Sequence, residues 1–354
     1  MNKYVEKNKQ VQLCQNKMLL ATLYNPDDIK VEDKELSYIA GLFDGEVALT
    51  INRSGPNARS YTLNISWTNR NYDILKYLST IFGGKISKVK KQPNHRFNEW
   101  QWNIYAGNAY RVLRKLYPLL RVKKETAGIC IEFFEHFWQG KSKKPVSLER
   151  KAIGQYYVSR LKEHQSKPGR SKKPCIIHEK EKPTFSIVKI QEQNHTESKE
   201  PVDFIWSELD NAYIAGLLDV ESSFIIYKLS NRPSYLFEVA YRKTDKNTLQ
   251  YLAKIFGGKV RSAPMSSGNK KEVWIWKVTS AKAYTVIKTI YPLLRIKKRH
   301  AELCMEFFKL YWQGSSTKQV SPERQSIGAK YVALLKSYNP KSMKHKRKKE
   351  CDTV

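Results

Sequence analysis

The sequence is poor in acidic residues, in cysteine and in long apolar runs, and each shortage excludes a class of protein. Aspartate and glutamate number 33 against 64 lysines and arginines, so the formal net charge at pH 7 is +31. No uninterrupted apolar run is long enough to span a bilayer, and no strongly amphipathic basic helix stands out, which argues against a membrane partner. A charge of this size indicates a polyanionic partner, and nucleic acid is favoured.

The five cysteines are an odd number and lie far apart along the chain. Cys130 and Cys304 fall inside apolar helical runs, which argues for reduced thiols and against a disulfide framework. The opening stretch MNKYVEKNKQ has neither the apolar core of a secretory signal nor the arginines of a transit peptide. We therefore expect a reducing compartment. The lysine-, asparagine- and tyrosine-rich composition is typical of an AT-rich organelle genome, a chloroplast or mitochondrial one.

An internal repeat determines how the rest of the sequence is interpreted. The segment YLSTIFGGKI, from Tyr77, returns as YLAKIFGGKV from Tyr251, and LYPLLRVKK, from Leu116, returns as IYPLLRIKK from Ile290. The 354 residues are thus a tandem duplication with room for two domains of ordinary size. We predict five segments: an N-terminal extension (1–35), a first repeat (36–163), a linker (164–206), a second repeat (207–338) and a basic C-terminal tail (339–354).

Periodicity within each copy predicts an α+β unit in which one antiparallel sheet packs on helices. Tyr61, Leu63 and Ile65 alternate with polar residues, as in a half-buried strand, whereas Leu36, Ile39 and Phe43 recur at helical spacing. The first copy is predicted to continue with strands at Lys85–Lys90 and Glu99–Tyr105, and with helices at Gly107–Leu119, Lys124–Trp138 and Ser147–Lys162.

The strands EWQWNIY and EVWIWKV place two tryptophans each on one face, Trp100 with Trp102 and Trp274 with Trp276. Stacking platforms for bases are conceivable, but indoles beside apolar helices are more often core. The opposite face would then expose hydrogen-bonding side chains that can lie in a major groove. Those predicted to contact DNA are Thr50, Asn52, Ser60, Thr62, Asn64, Lys85, Ser87, Gln101 and Asn103 in the first copy, and Tyr227, Glu238, Lys259, Arg261 and Lys277 in the second.

Each copy opens on an apolar helix that ends in acids, although carboxylates are unfavourable at a helix C-terminus. Small residues in both helices, Ala40 with Gly41 and Ala215 with Gly216, predict that the two helices pack closely about a pseudo-twofold axis. Glu46 and Glu221 would then meet at one end, and Mg²⁺ would relieve their repulsion and act on a scissile phosphate. The alternative is that these acids, with Asp44 and Asp219, are solvated end caps.

With both repeats considered, the chain resembles a single-chain LAGLIDADG homing endonuclease. The segments IAGLFDGEV and IAGLLDVES each match the motif that gives this family its name, and an IFGGK and a YPLLR segment follow each of them. The resemblance implies two αββαββα halves that meet at the motif helices and grip a long site in double-stranded DNA. It also implies a monomer that uses divalent metal, Mg²⁺, and makes double-strand breaks as in intron homing.

The resemblance assigns residue roles as well. The last motif acids, Glu46 and Glu221, would bind the metal, and Lys123 and Lys297 would support the active site. Asn69 matches a polar residue that orders water, whereas its counterpart Lys243 is unusual for that role. Val47 and Ser222 replace a frequent glycine, which puts the turn into the first strand in doubt.

The rival function is that of an intron maturase, which binds structured intron RNA with the same fold and tolerates loss of the acids. Retention of both Glu46 and Glu221 favours the nuclease. A DNA-binding regulator without chemistry is disfavoured for the same reason. The target sequence does not follow from the chain, because recognition is distributed over many side chains.

Overall fold

The structure is a computed structural model that describes residues 15–54, 60–89, 98–138, 146–165, 207–230, 232–263, 272–312 and 320–338. Nearly all of the predicted linker and the whole predicted C-terminal tail lie outside these residues, as do residues 1–14 of the extension.

Both halves follow the predicted order of helix, hairpin, helix, hairpin and helices. The first half comprises α1 (described over 15–23), α2 (Asp33–Gly45), β1 (Ala48–Ser54), β2 (Ser60–Asn69), α3 (Tyr72–Phe82), β3 (Lys85–Lys88), β4 (Trp100–Tyr105), α4 (Ala106–Leu116), α5 (Lys124–Phe137) and α6 (Leu148–Gln165). The second comprises α7 (Glu208–Glu221), β5 (Ser222–Lys228), β6 (Tyr235–Lys243), α8 (Lys246–Phe256), β7 (Lys259–Ser262), β8 (Trp274–Thr279), α9 (Ser280–Ile290), α10 (Lys298–Tyr311) and α11 (Pro322–Tyr338). Single 3₁₀ turns lie at Pro26–Asp28 and Tyr291–Leu293.

Each half contains one four-stranded antiparallel sheet, in the order β1-β2-β4-β3 in the first and β5-β6-β8-β7 in the second. Strand alternation decides which face packs on the helices. Leu63 and Ile65 of β2 are fully buried, whereas Thr62, which precedes Leu63, pairs with Asn52 on the other face. The predicted α+β class with two tandem αββαββα repeats is confirmed.

Several element ends differ from the predictions by a few residues, among them those of α4 and β3. The helix predicted over Gly107–Leu119 begins at Ala106 and ends at Leu116, because Pro118 has no N–H to donate to a helical carbonyl. The strand predicted to reach Lys90 ends at Lys88, although the Val89 N–H still donates to the Glu99 carbonyl over 2.8 Å, and residue 90 lies outside the described residues.

The halves meet through α2 and α7, called here the motif helices, whose backbones touch at two glycines. A Cβ on Gly41 would lie 2.0 Å from the carbonyl oxygen of Tyr213, and one on Gly216 would lie 1.9 Å from that of Tyr38. Neighbouring Ala40 and Ala215 are fully buried. No side chain larger than hydrogen fits at either glycine without moving the helices apart.

The sheet face that carries the tryptophans is buried at its centre and partly exposed near its edge. Trp102 and Trp276 are fully buried, and each donates its indole N–H over 2.8 Å to a glycine carbonyl, that of Gly83 or Gly257. Trp100 and Trp274 are only partly buried. A lysine ammonium, that of Lys246, lies 3.9 Å from the Trp274 ring centroid. The core interpretation is therefore right for the central pair.

Cys130 and Cys304 are buried free thiols, and burial raises the pKa of Cys130 to about 12. Within the described ranges no helix is both long and apolar enough to cross a bilayer.

Candidate functional site

The first acid of each motif is buried and binds a loop of its own half. Asp44 is fully buried, and its carboxylate accepts the backbone N–H groups of Arg121, Val122 and Lys123 over 2.7–3.0 Å. These residues lead directly into α5, so the carboxylate sits where free N–H groups and the helix dipole favour an anion. The hydroxyl of Tyr213, from the opposite motif helix, donates to Asp44 over 2.8 Å.

Asp219 repeats this arrangement in the second half. It accepts the N–H groups of residues 295–297 over 2.7–2.8 Å and the hydroxyl of Tyr38 over 2.7 Å. The interpretation of Asp44 and Asp219 as solvated end caps is therefore wrong, because both are fully buried and each is satisfied by four donors. They compensate for the unfavourable position at a helix C-terminus by stabilising the loop before the next helix.

The last acid of each motif lies at the surface of the helix pair, in a shared pocket. Glu46 follows the last residue of α2, and Glu221 is the last residue of α7. Both line a pocket of about 740 Å³ together with Thr68, Gln101 and Lys243. Burial raises the pKa of Glu46, the Trp67 N–H lowers it, and the negative charge of Glu221 raises it. The two motif glutamates are thus close enough to interact.

Lys123 and Lys297 lie beneath the glutamates and hold the ends of the motif helices. The Lys123 ammonium donates to the carbonyls of Phe43 and Val47 over 2.7 and 2.8 Å, and that of Lys297 donates to Leu218 over 3.1 Å. Burial lowers the pKa of each lysine to about 8. Lys123 also lines the pocket. Val47, which replaces a frequent glycine, is fully buried in this turn.

The surroundings of the two glutamates differ. The Trp67 indole donates to Glu46 Oε2 over 2.8 Å. Tyr241 occupies the matching register, since Trp67 pairs with Trp102 and Tyr241 with Trp276. The Tyr241 hydroxyl is buried and has no hydrogen-bond partner in the part of the chain that the structure describes.

Asn69 and Lys243, predicted to be equivalent, both end the second strand of their halves. Asn69 uses its side-chain oxygen to accept the N–H of Asn71 over 2.9 Å, so it caps the next turn. Lys243 instead reaches Glu221, with 2.6 Å between Nζ and Oε1. Asn69 is not among the residues that line the pocket, whereas Lys243 is.

The donor set around the two glutamates fits a hard divalent cation held in part by substrate. Among the described residues no group of three or more His, Cys, Asp and Glu side chains could hold a metal ion alone. Mg²⁺ is commonly held by one or two carboxylates, with waters and substrate phosphates completing its shell. Two carboxylates that share an open pocket meet that requirement, and Glu46 and Glu221 are the residues that would hold the ion.

The outer face of the first sheet is mostly neutral and polar. Cross-strand pairs join Thr50 with Asn64, Thr62 with Asn52, and both Lys85 and Ser66 with Asn103. The predicted contacts that remain at least partly exposed are Thr50, Asn52, Ser60, Thr62, Lys85, Ser87 and Gln101. Asn64 and Asn103 are 5% and 9% exposed; Asn64 lies between Thr50 and Tyr105, and Asn103 between Ser66 and Lys85, on the two central strands. The prediction of a fully exposed row is wrong at these two positions.

The outer face of the second sheet is charged and partly apolar. Lys259 and Arg261 are exposed, and Tyr227 and Lys277 are partly exposed. Glu238 is buried, because it is paired with Lys277 over 3.0 Å, so it is not the exposed contact that was predicted. Ile275 is also buried, in a small cluster with Ala240 and Ala263. The two outer faces thus offer different chemistry to a ligand.

Sequence reasoning missed three residues near the acids: Trp67, Tyr38 and Tyr213. A signal for the tyrosines was present, since YIAG opens both motifs with tyrosine at the same position. Their hydroxyls point across the helix pair, which only the three-dimensional crossing reveals. Trp67 gave no signal because its counterpart is Tyr241.

Comparison with known proteins establishes the fold. Neither a scan of family models nor a search of curated proteins finds a match. Among solved structures, the LAGLIDADG homing endonuclease I-GzeII in complex with its DNA target is 14% identical, with a TM-score of 0.56 over 87% of this chain and 99% of that one. I-LtrWI bound to target DNA is 15% identical, with a TM-score of 0.54 over 88% and 99%. I-SmaMI bound to cleaved DNA is 14% identical, with a TM-score of 0.53 over 88% and 98%. The chain has the fold of these proteins, as the two motifs predicted.

Proposed function

We propose that the chain is a LAGLIDADG homing endonuclease, a monomeric and metal-dependent enzyme that makes site-specific double-strand breaks in DNA. The observation that carries this proposal is the meeting of Glu46 and Glu221 in one pocket at the junction of the halves. Neither acid is needed for the fold in the way that Asp44 and Asp219 are. Two half-buried carboxylates in one pocket repel one another, and a divalent cation held by both would relieve that repulsion.

The glutamates, the lysines and the aspartates have different roles in the proposed phosphodiester hydrolysis. Glu46 and Glu221 would hold Mg²⁺, which when bound activates water, shields the phosphoryl oxygens and stabilises the leaving oxygen. Lys123 holds the turn from α2 into β1 through the carbonyls of Phe43 and Val47, so the Glu46 backbone keeps its position. The buried aspartates tie each motif helix to the loop that carries the lysine.

The sheets would supply affinity and sequence preference. A formal net charge of +31 favours duplex phosphates through counterion release. Exposed Lys85, Lys259 and Arg261 are suited to phosphate or guanine contacts. The amide of Gln101 suits adenine edges in the major groove. Because each half carries one sheet, the target is expected to consist of two unlike half-sites.

Selection from a library of randomised duplex DNA tests the proposal. The full chain is incubated with the library in Mg²⁺, and fragments with new ends are sequenced. We expect recovery of one long site, and no recovery with the Glu46→Gln, Glu221→Gln double variant. Glu323→Gln, which removes the same charge from α11 outside the pocket, should cut like the parent. If the parent binds structured intron RNA and never cuts DNA, the maturase function replaces the nuclease.

A further inference from the structure

Lys243 is held by one oxygen from each motif helix. Its ammonium lies 2.6 Å from Glu221 Oε1 and also donates to the backbone carbonyl of Gly45. One oxygen comes from the acid of the second motif and the other from the residue before the acid of the first. Its side chain is only 18% exposed, and that of Glu221 is 25% exposed, so the pair is shielded from competing water and salt.

The equivalent position in the first half has no such cation. Asn69 takes the place of Lys243 and caps the turn at Asn71. Glu46 receives a neutral N–H from Trp67, and within the described residues no lysine or arginine forms a salt bridge with it. One motif glutamate therefore has a permanent cationic partner and the other does not.

We propose that, before DNA binds, the Lys243 ammonium occupies the cation position on the Glu221 side of the pocket, so that the DNA-free chain loads a divalent cation at Glu46 and not at Glu221. A carboxylate and a carbonyl oxygen are ligands that an ammonium and a hard divalent cation share. The ammonium is tethered to the sheet, so an incoming ion must break an ion pair that is always present at high local concentration.

This inference rests on the proposed function and sharpens it. Glu46 would hold its ion before DNA binds, whereas on the Glu221 side the ion would first have to displace the Lys243 ammonium, so the DNA strand served by Glu221 would be cut later. A nicked intermediate should therefore accumulate before the double-strand break. The lysine sets the order of the cuts and is a positioning residue in this sense.

Counting bound Mn²⁺ by electron paramagnetic resonance tests the inference without any cleavage. The full-length protein is titrated with Mn²⁺ in the absence of DNA, and the free-ion signal gives the number bound. We expect one ion per chain in the parent, none in Glu46→Gln, and one still in Glu221→Gln. Lys243→Asn, which copies the residue of the first half, should bind two.

Controls separate charge and folding from the effect on the site. Lys254→Asn removes the same charge from an exposed position on α8 and should bind one ion, as the parent does. Should Lys243→Asn unfold, as judged by its thermal melt, Lys243→Met retains the stem without the ammonium. The comparison of Glu46→Gln with Glu221→Gln needs no change at Lys243 and decides the point by itself.

Two results would overturn the inference, and they differ from a failure of the proposed function. Two ions in the parent, or an equal loss in both glutamine variants, would show that Lys243 yields to metal and that the sides are equivalent, while the nuclease proposal would stand. No Mn²⁺ on the parent, with target DNA present as well as absent, would instead count against the metal-dependent function itself.

Discussion

The two halves of the molecule match at the buried motif aspartates and the central tryptophans, and they differ around the two glutamates and on the outer faces of the sheets. Asp44 and Asp219 accept the same set of hydrogen bonds in each half, and Trp102 and Trp276 donate over the same 2.8 Å. Around the acids that follow, Trp67 faces Glu46 while Lys243 faces Glu221. Packing and buried hydrogen bonds restrict the first group in both copies, whereas the residues around the two glutamates follow no common pattern.

The largest expected effect comes from removing one buried motif aspartate. Asp44→Ala or Asp219→Ala leaves three N–H groups and a tyrosine hydroxyl without their acceptor, and each unsatisfied buried group costs about 1–3 kcal/mol. We expect each variant to lose at least about 3 kcal/mol of unfolding free energy in urea titrations. Similar losses are expected, because the two sites are alike. If only one of the two variants lost unfolding free energy, the two aspartate sites would not be equivalent.

Close approach of the motif helices is tested by adding one methyl group. Gly41→Ala and Gly216→Ala place a Cβ within 2.0 Å of a backbone carbonyl, and overpacking of this kind costs about 1–3 kcal/mol or more. Gly128→Ala in α5 is the matched control, since its Cβ would lie 3.6 Å from the Tyr117 ring, an ordinary van der Waals distance. The control should be neutral or stabilising by up to about 1 kcal/mol. Equal stability of all three variants would contradict the crossing described.

Trp67 and Tyr241 occupy equivalent positions in the two halves, and substitutions at both test how the halves differ beside the pocket. Tyr241→Phe removes a buried hydroxyl that has no partner among the described residues, so the unfolding free energy should rise by about 1 kcal/mol. Trp67→Phe removes the donor to Glu46 and leaves space behind, so it should lower the unfolding free energy. Thermal melts of both variants decide this, and a destabilised Tyr241→Phe would reveal an unseen partner.

The smallest effects are expected on the outer faces of the sheets. Lys85→Ala in the first half and Arg261→Ala in the second should each reduce the slope of log affinity against log salt by about 0.9 if the side chain neutralises one phosphate. Gln101→Ala should leave that slope unchanged, because it removes no charge. Filter binding to duplex DNA at several salt concentrations gives the slopes. An unchanged slope in both basic variants would remove these faces from the interface.

The sequence predicted the duplication, the order of the elements and the helix pair, because these follow from local patterns that occur twice. It could not predict that Asp44 is buried, since its three backbone donors lie near residue 122, far along the chain. Exposure of Asn64 and Glu238 was overestimated. The alternation of polar and apolar residues predicts on which face of the sheet a side chain lies, but not how closely its neighbours crowd it. The contact of Lys243 with Glu221 depends on a side-chain path that periodicity does not encode.

The central claim is that Glu46 and Glu221 hold the metal with which the chain cuts DNA. It is tested most directly by measuring both binding and cleavage of the selected site with the same proteins. Glu46→Gln and Glu221→Gln should bind the site in Ca²⁺ as tightly as the parent or more tightly, because each removes a negative charge near phosphate. In Mg²⁺, double-strand cleavage by each should fall by more than about 100-fold, since an amide is a poor ligand for a hard cation. Cleavage at the parent rate by both variants would contradict the assignment.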